Sequence, residues 1–256
     1  MIKDGEIIYL YHSEKAKYPI TYHKGQFFQC HLGKIILPDN LEWGDEIETN
    51  KGFKFYVLKP SLEDLVLNVK RKTNIMYPKD IGYIILNSTI RDGSNVIEVG
   101  TGSGAMTTIL AILVGPSGKV YSFDKNEEHL ENARKNIERY GLLDRVILSL
   151  RDVSKDGFGL EGMDGCIIDL PEPWTILPHA RKSLKPGSSV AIVVPTIEQV
   201  QATFKSLKEN EFTRIKSVEI LEREIYLREG ITRPRERMVS HTVYIIVAYS
   251  TKPSSV

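Results

Sequence analysis

Cysteine is nearly absent from this chain: two residues in 256, Cys30 and Cys166. Two thiols cannot build a disulfide framework or a cysteine-rich zinc site. They suit a reducing compartment, where both read as buried or bystander thiols. Net charge is also nearly absent, since 34 Lys and Arg against 33 Asp and Glu leave a formal +1. That balance speaks against a strongly basic nucleic-acid protein, although it says nothing about local patches. Long apolar runs are missing too. The longest near the C-terminus, residues 243–249, is far too short to span a bilayer. The opening residues, Met1-Ile2-Lys3-Asp4-Gly5-Glu6, hold no signal-peptide core. A cytoplasmic protein without a membrane partner is the expectation. There is no internal repeat, and no low-complexity segment beyond the Pro-Ser-Ser-Val tail.

Hydrophobic residues make up 41%, an ordinary value for a globular protein, and the length allows one large domain or a large one with a small companion. Residues 1 to about 67 read as short strands at 6–11, 34–37, 46–49 and 53–58, separated by turn clusters such as Pro38-Asp39-Asn40 and Asn50-Lys51-Gly52. A small β-barrel or compact β-module over 1–70 is expected, serving either RNA binding or oligomerisation. A short helical pattern from Ser61 ends in the basic cluster Lys70-Arg71-Lys72. Residues 75–80 read as a loop held extended before Pro78, followed by a helix bearing Ile81, Ile84 and Ile85.

The second part, 71–256, alternates strands and helices, which implies an open, largely parallel sheet. Strands are expected at 96–99, 120–123, 146–150, 166–170 and 190–194, and helices at 106–114, 127–140, 176–184 and 197–209. Two further strands, 214–221 and 242–250, have no helix between them and should pair antiparallel. The fold class is therefore α/β, a Rossmann-like seven-stranded sheet with a small N-terminal β-domain.

The chain is organised around Val96-Ile97-Glu98-Val99-Gly100-Thr101-Gly102-Ser103-Gly104-Ala105-Met106. Alternating glycines at a strand-to-helix turn let a ligand approach the main chain, and the helix start offers free amides. The spacing is G-x-G-x-G, not the G-x-G-x-x-G of dinucleotide folds. Glu98, just before the first glycine, suits a ligand with a cationic amino-acid end. Asp124 closes the next strand, where a carboxylate can hold ribose hydroxyls. Glu98 with Asp124 resembles the S-adenosylmethionine site of class I methyltransferases.

Ligands of such sheets sit at the carboxyl ends of the strands. There the sequence supplies His129, which either covers the ribose or faces solvent. It also supplies Asp152, which either accepts the adenine amino group of the cofactor or is a plain surface acid. Last comes Asp169-Leu170-Pro171-Glu172-Pro173-Trp174, where two prolines stiffen the chain around an acid.

That last motif resembles the active-site motif of the tRNA (adenine(58)-N1)-methyltransferases, and the resemblance runs along the chain. Ile75-Met76-Tyr77-Pro78-Lys79-Asp80 is similar to the family's segment over the cofactor, residues 98–107 to its first motif, and Arg233-Pro234 through His241-Thr242 to its C-terminal hairpin. The short β-module looks archaeal in type. The resemblance implies methylation of adenine N1 in the T-loop of tRNA, at position 58 and in archaeal members also 57. It further implies S-adenosylmethionine as cofactor, no metal, and a homotetramer.

The implied cofactor contacts are Tyr77, Glu98, Gly100, Gly102, Ser103, Gly104, Ala105, Met106, Asp124, His129, Asp152 and Asp169. The implied catalytic residue is Asp169, beside the base amine, and the implied substrate contacts are Tyr77, Pro171, Trp174 and Arg233. Tyr77 packs on the cofactor, flanks the base or is a core tyrosine; Trp174 stacks or only packs its loop. Arg223, Arg228, Arg233, Arg235 and Arg237, interleaved with glutamates, suit phosphate contacts or a solvated face. The alternatives are a methyltransferase with another substrate, a non-catalytic tRNA-binding subunit of the same fold, and a dehydrogenase. The glycine spacing argues against the last.

Overall fold

The structure, a computed structural model, describes residues 1–252, so the 253–256 tail lies outside the described residues. Met1–Val69 and Lys70–Val256 form two compact units.

The first unit holds β1 (Ile7–Ser13), β2 (Ala16–Thr21), β3 (Phe27–Cys30), β4 (Gly33–Ile36), β5 (Glu46–Glu48), β6 (Lys54–Leu58) and α1 (Leu62–Leu67). Its main sheet runs β2-β1-β6-β5, antiparallel throughout, and β3–β4 is a separate hairpin. Among the described residues no strand ladder joins the two sheets, and Asn50 N, just past β5, donates to Lys34 O of β4 at 3.0 Å. Along β6, Phe55 and Val57 point inward and their neighbours outward, the period-2 pattern of a half-buried strand. They meet Ile8, Leu10, Tyr22 and Leu37 in the core of this unit. Strands β2 and β3 have no counterpart in the sequence pattern. Pro19 lies within β2, and Pro is tolerated there because β2 is an edge strand. α1 starts at a capping box: Asp64 N donates to Ser61 Oγ at 3.1 Å and Ser61 N donates to Asp64 Oδ2 at 2.9 Å.

The second unit runs α2 (Pro78–Leu86), β7 (Asn95–Val99), α3 (Ala105–Val114), β8 (Lys119–Asp124), α4 (Glu127–Arg139), β9 (Val146–Leu150), α5 (Val153–Asp156), β10 (Met163–Asp169), α6 (Leu177–Ser183), β11 (Leu184–Val194), α7 (Ile197–Glu209), β12 (Phe212–Glu219), β13 (Ile225–Arg228), β14 (Ile231–Pro234) and β15 (Tyr244–Ser250). The sheet order is β12-β15-β11-β10-β7-β8-β9. Pairs from β11 to β9 are parallel, and β15 is antiparallel to both neighbours. The seven strands and the antiparallel closure are as the sequence implied.

β7, β10 and β11 carry near-continuous buried apolar runs, as parallel strands covered on both faces must. Their side chains join Phe123, Phe158, Ile176, Leu177 and Ile246 in one core. From β7 the chain steps outward through β8 and β9, then returns to place β10 on the other flank of β7. That reversal opens a crevice at the carboxyl ends of β7 and β10, the place where open α/β sheets bind ligands.

Three local expectations change. Helix α2 begins at Pro78, so Pro78–Asp80 are its first turn and not loop. Tyr77 is the extended N-cap residue, and proline's fixed φ suits the first helical position. A short helix, α5, follows β9. The connection between β12 and β15 is a hairpin, β13–β14, turning at Glu229-Gly230 with Gly230 at φ 73°. Its dense charges conceal the alternation.

Candidate functional site

Four carboxylates stand along the carboxyl edge of the sheet. Glu98 is in β7, Asp124 ends β8, Asp152 follows β9, and Asp169 ends β10. Glu98 is 2% exposed. Its Oε2 accepts from Thr107 Oγ1 and Ser122 Oγ, each at 2.6 Å, and Ser122 in turn shares a 2.7 Å bond with Thr101 Oγ1. Oε1 has no hydrogen-bond partner among the described residues. Burial pushes the Glu98 carboxyl up from 4.5 to about 7. The two hydroxyls oppose this, and the charges of Asp169 and Asp124 add to it. Three acids within electrostatic reach of one another favour a ligand that carries positive charge.

Asp124 braces the glycine turn. Its Oδ2 accepts from Gly102 N at 3.0 Å and lies 3.3 Å from His129 Nδ1, while Oδ1 accepts from Asn126 N at 2.9 Å. His129 is thus joined to Asp124, half-buried on the first turn of α4. The turn itself departs from β7 at Gly100, φ 92°, where a Cβ would overlap the backbone carbonyl of Asp169. Only glycine allows this approach, and it places the turn directly against the end of β10. Gly104, φ 78°, is the N-cap of α3, with no side chain capping the helix. The first amides of the helix therefore keep their donors unmatched by intrahelical carbonyls. Ala105 and Met106, the first helical residues, are buried, so main chain and not their side chains faces the crevice.

Ser103, expected among the cofactor contacts, has its main chain in the glycine turn and its hydroxyl on residues 72–73. It is buried, and its Oγ accepts from Lys72 N at 3.1 Å and Thr73 N at 3.2 Å and pairs with Thr73 Oγ1 at 2.9 Å. Its hydroxyl fastens residues 72–73 across the turn. Asn136 of α4 completes this fastening. Its Nδ2 donates to Ser103 O at 2.9 Å and Lys70 O at 3.0 Å, and its Oδ1 accepts from Lys70 N at 2.9 Å. Sequence reasoning misses Asn136. The available signal is an asparagine beside Leu130, Ala133 and Ile137 on the buried side of an amphipathic helix. It misses Thr73, Thr107 and Ser122 as well, because isolated hydroxyl residues carry no spacing signature.

Asp169 is the outlier of the set. Its carboxylate makes no hydrogen bond or ion pair among the described residues. It is exposed at the crevice, yet enough protein crowds it for desolvation alone to push it up from 3.8 to about 6. The loop after it is held by α7: Gln199 Nε2 donates to Pro171 O at 2.8 Å and Ser206 Oγ to Trp174 O at 3.2 Å. Pro171 is exposed, and Trp174 is half-buried in a single 3-10 turn.

Asp152 carries local work. It caps α5, accepting from Ser154 Oγ at 2.6 Å, and pairs with Lys155 Nζ at 3.2 Å. The Ser154 hydroxyl, then Lys155, holds its carboxyl below the usual range. Tyr77 caps the start of α2 and is 44% exposed. Arg233 stands on β14, outside the main sheet, paired with Glu236 at 2.8 Å, and among the described residues no bond joins it to the strand ends. Among the described residues no group of three or more His, Cys, Asp or Glu side chains could hold a metal ion, and no helix is long and apolar enough to cross a membrane.

Known proteins resemble this chain over most or all of its length. The family model described as tRNA methyltransferase complex GCD14 subunit matches residues 52–241. The tRNA (adenine(57)-N(1)/adenine(58)-N(1))-methyltransferase TrmI of Methanocaldococcus jannaschii is 35% identical, with 92% of each chain covered. The crystal structure of tRNA (m1A58) methyltransferase TrmI from Aquifex aeolicus superposes with a TM-score of 0.79 at 32% identity, covering 98% of this chain and 99% of that one. That of an S-adenosylmethionine-dependent O-methyltransferase from Thermotoga maritima gives 0.87 at 37% identity, covering 100% and 96%.

Proposed function

The chain belongs to the TrmI-type family of tRNA (adenine-N1)-methyltransferases, class I S-adenosylmethionine-dependent enzymes, and from that membership we propose how its residues divide the work. The reaction is transfer of a methyl group to N1 of an adenine in tRNA, and the acceptor is adenine 58 of the T-loop, alone or together with the adjacent adenine 57. S-adenosylmethionine, when bound, supplies a methyl group already activated on a sulfonium. The residues present fit it. Gly100, Gly102 and Gly104 expose main chain at a helix start, Glu98 keeps Oε1 free beneath the turn, and three acids await a cationic ligand. Asp124, with His129, stands at the end of β8, where ribose hydroxyls are held.

The observation that carries the assignment of roles is the unpartnered carboxylate of Asp169, on the residue whose main-chain carbonyl abuts Gly100 at the end of β10. Adenine N1 has a lone pair and needs no prior deprotonation to attack. Attack places positive charge on the base and acidifies its exocyclic amine. Asp169, ionised above about pH 6, accepts the amine hydrogen bond, stabilises that charge and takes up the proton. The Pro171–Trp174 loop, fixed to α7, holds the base in line and so lowers the entropic part of the barrier. A base stacked in a folded tRNA must turn out to reach this position. The basic cluster 70–72 and the arginines of β13–β14 supply phosphate contacts. The working form is a cytoplasmic homotetramer.

Incubation of the protein with labelled S-adenosylmethionine and an unmodified tRNA transcript, followed by nucleoside analysis, tests the reading. N1-methyladenosine at 58, alone or together with 57, is the expected product. Label at a 2′-oxygen or in a small molecule would instead support an O-methyltransferase. Asp169→Ala should still bind tRNA, because phosphate contacts dominate affinity, while losing about 10²–10⁴ in rate. Wild-type single-turnover rate in that variant would remove Asp169 from the chemistry.

A further inference from the structure

The strand order splits the carboxyl edge in two. The cofactor turn and Asp124 lie on β7 and β8, while β11, β15 and β12 lie on the other side of β10. On that side the register sets Asp169 beside Val193, Val194 beside Tyr244, and Tyr244 beside Glu219. A charged network with no hydrogen bond to the cofactor turn or to Asp169 among the described residues is buried there. Asp80 is wholly buried; its Oδ1 accepts from Lys79 Nζ at 2.8 Å and its Oδ2 from Thr242 Oγ1 at 2.7 Å. Lys79, 7% exposed, closes the ring by donating to Thr242 Oγ1 at 2.6 Å. Lys79 and Asp80 are the second and third residues of α2, and Thr242 lies 162 residues beyond Asp80.

His241, the neighbour of Thr242, extends the network. Its Nδ1 lies 2.7 Å from Glu219 Oε1 and its Nε2 lies 2.8 Å from Pro195 O. A carboxylate and a carbonyl only accept, so both ring nitrogens donate and the ring is a cation in this arrangement. The start of α2, the chain just past β11, the end of β12 and the approach to β15 are thereby joined at one place.

A buried ion pair is weak as a source of stability, since desolvation offsets its attraction, and apolar residues would hold a helix as well. What such a network does provide is a fixed position for the groups attached to it. The group attached here is the excursion 220–240 with β13–β14, which leaves at Glu219 and returns at His241. We propose that the Lys79–Asp80–Thr242 triad, continued through His241, is a positioning device for the acceptor half of the site, setting the base of the β13–β14 excursion on the Asp169 side of the sheet edge. It rests on the reading that tRNA is the acceptor. Thr242, Asp80 and His241 are positioning residues, and the cofactor half on β7 and β8 is independent of them.

Thr242→Val tests this, because it removes the hydroxyl at nearly constant volume and leaves the Lys79–Asp80 pair in place. S-adenosylmethionine affinity by calorimetry should be unchanged, kcat/KM for a tRNA transcript should fall about tenfold or more, and Thr242→Ser should restore it. Unchanged kcat/KM would overturn the proposal. So would an equal loss of cofactor affinity and kcat/KM, which would mark a merely structural role. If Thr242→Val does not fold, His241→Gln decides by the same split between cofactor affinity and kcat/KM. Absence of methyl transfer by the wild-type chain would sink the functional reading itself, whereas an active wild type with an equally active Thr242→Val sinks only the network.

Discussion

Glu98→Gln separates folding from binding at the one fully buried carboxylate among the four at the sheet edge. In the folded chain its pKa stands at about 7, against 4.5 as the ordinary value. Between those values the folded state holds a proton that the unfolded state has released, so stability is fully present below about pH 4.5 and is lost as pH rises to about 7. At about 1.4 kcal/mol for each tenfold change in proton affinity, the loss across that window is about 3 kcal/mol. Glutamine keeps the shape and still accepts from Thr107 and Ser122, but it does not titrate. The variant should therefore match the wild type near pH 4.5 and exceed it by about 3 kcal/mol above pH 7.

Urea unfolding at several pH values measures this. The chain has two tryptophans, Trp43 and Trp174. In a Trp43→Phe background, Trp174 reports only the unit that contains Glu98. The same substitution should weaken S-adenosylmethionine by roughly 1.5–3 kcal/mol, the worth of a charged hydrogen bond. Parallel pH–stability curves for the two proteins would refute the burial argument. A stabilised variant with undiminished cofactor affinity would refute the placement of Glu98 beneath the ligand.

Three further outcomes are expected. Asp124→Ala should weaken the cofactor by roughly 1.5–3 kcal/mol in calorimetry, since the change removes the brace on Gly102 together with the proposed ribose partner; unchanged affinity would take Asp124 out of the site. Single-turnover methylation should rise as pH increases through about 6, where Asp169 ionises; a profile flat from pH 5 to 8 would exclude it as the base. Light scattering at micromolar concentration should give the mass of a tetramer, and a monomer mass would count against that assembly.

Much of the fold was legible in the sequence for a physical reason. Parallel strands buried on both faces require continuous apolar runs such as 96–99 and 190–194, and glycines mark where the main chain must turn or come close. The order of Glu98, the glycines, Asp124 and Asp169 along successive strand ends was visible on the same ground. β2 was hidden by Pro19, which an edge strand tolerates, and β13–β14 by charges that give an exposed hairpin no hydrophobic period.

Only the tertiary structure decided what each polar side chain touches. Ser103 reads as part of a ligand-binding turn, yet its hydroxyl faces Lys72 and Thr73, about thirty positions earlier in the chain. Asn136, Thr107 and Ser122 gain meaning only when α4, α3 and β8 are packed around β7. The pairing of Asp80 with Thr242 spans most of the second unit. Local sequence records backbone preference and the periodicity of burial. Hydrogen-bond partners and shifted pKa values depend on which distant groups are brought together and on how much water is excluded between them, and neither quantity is local.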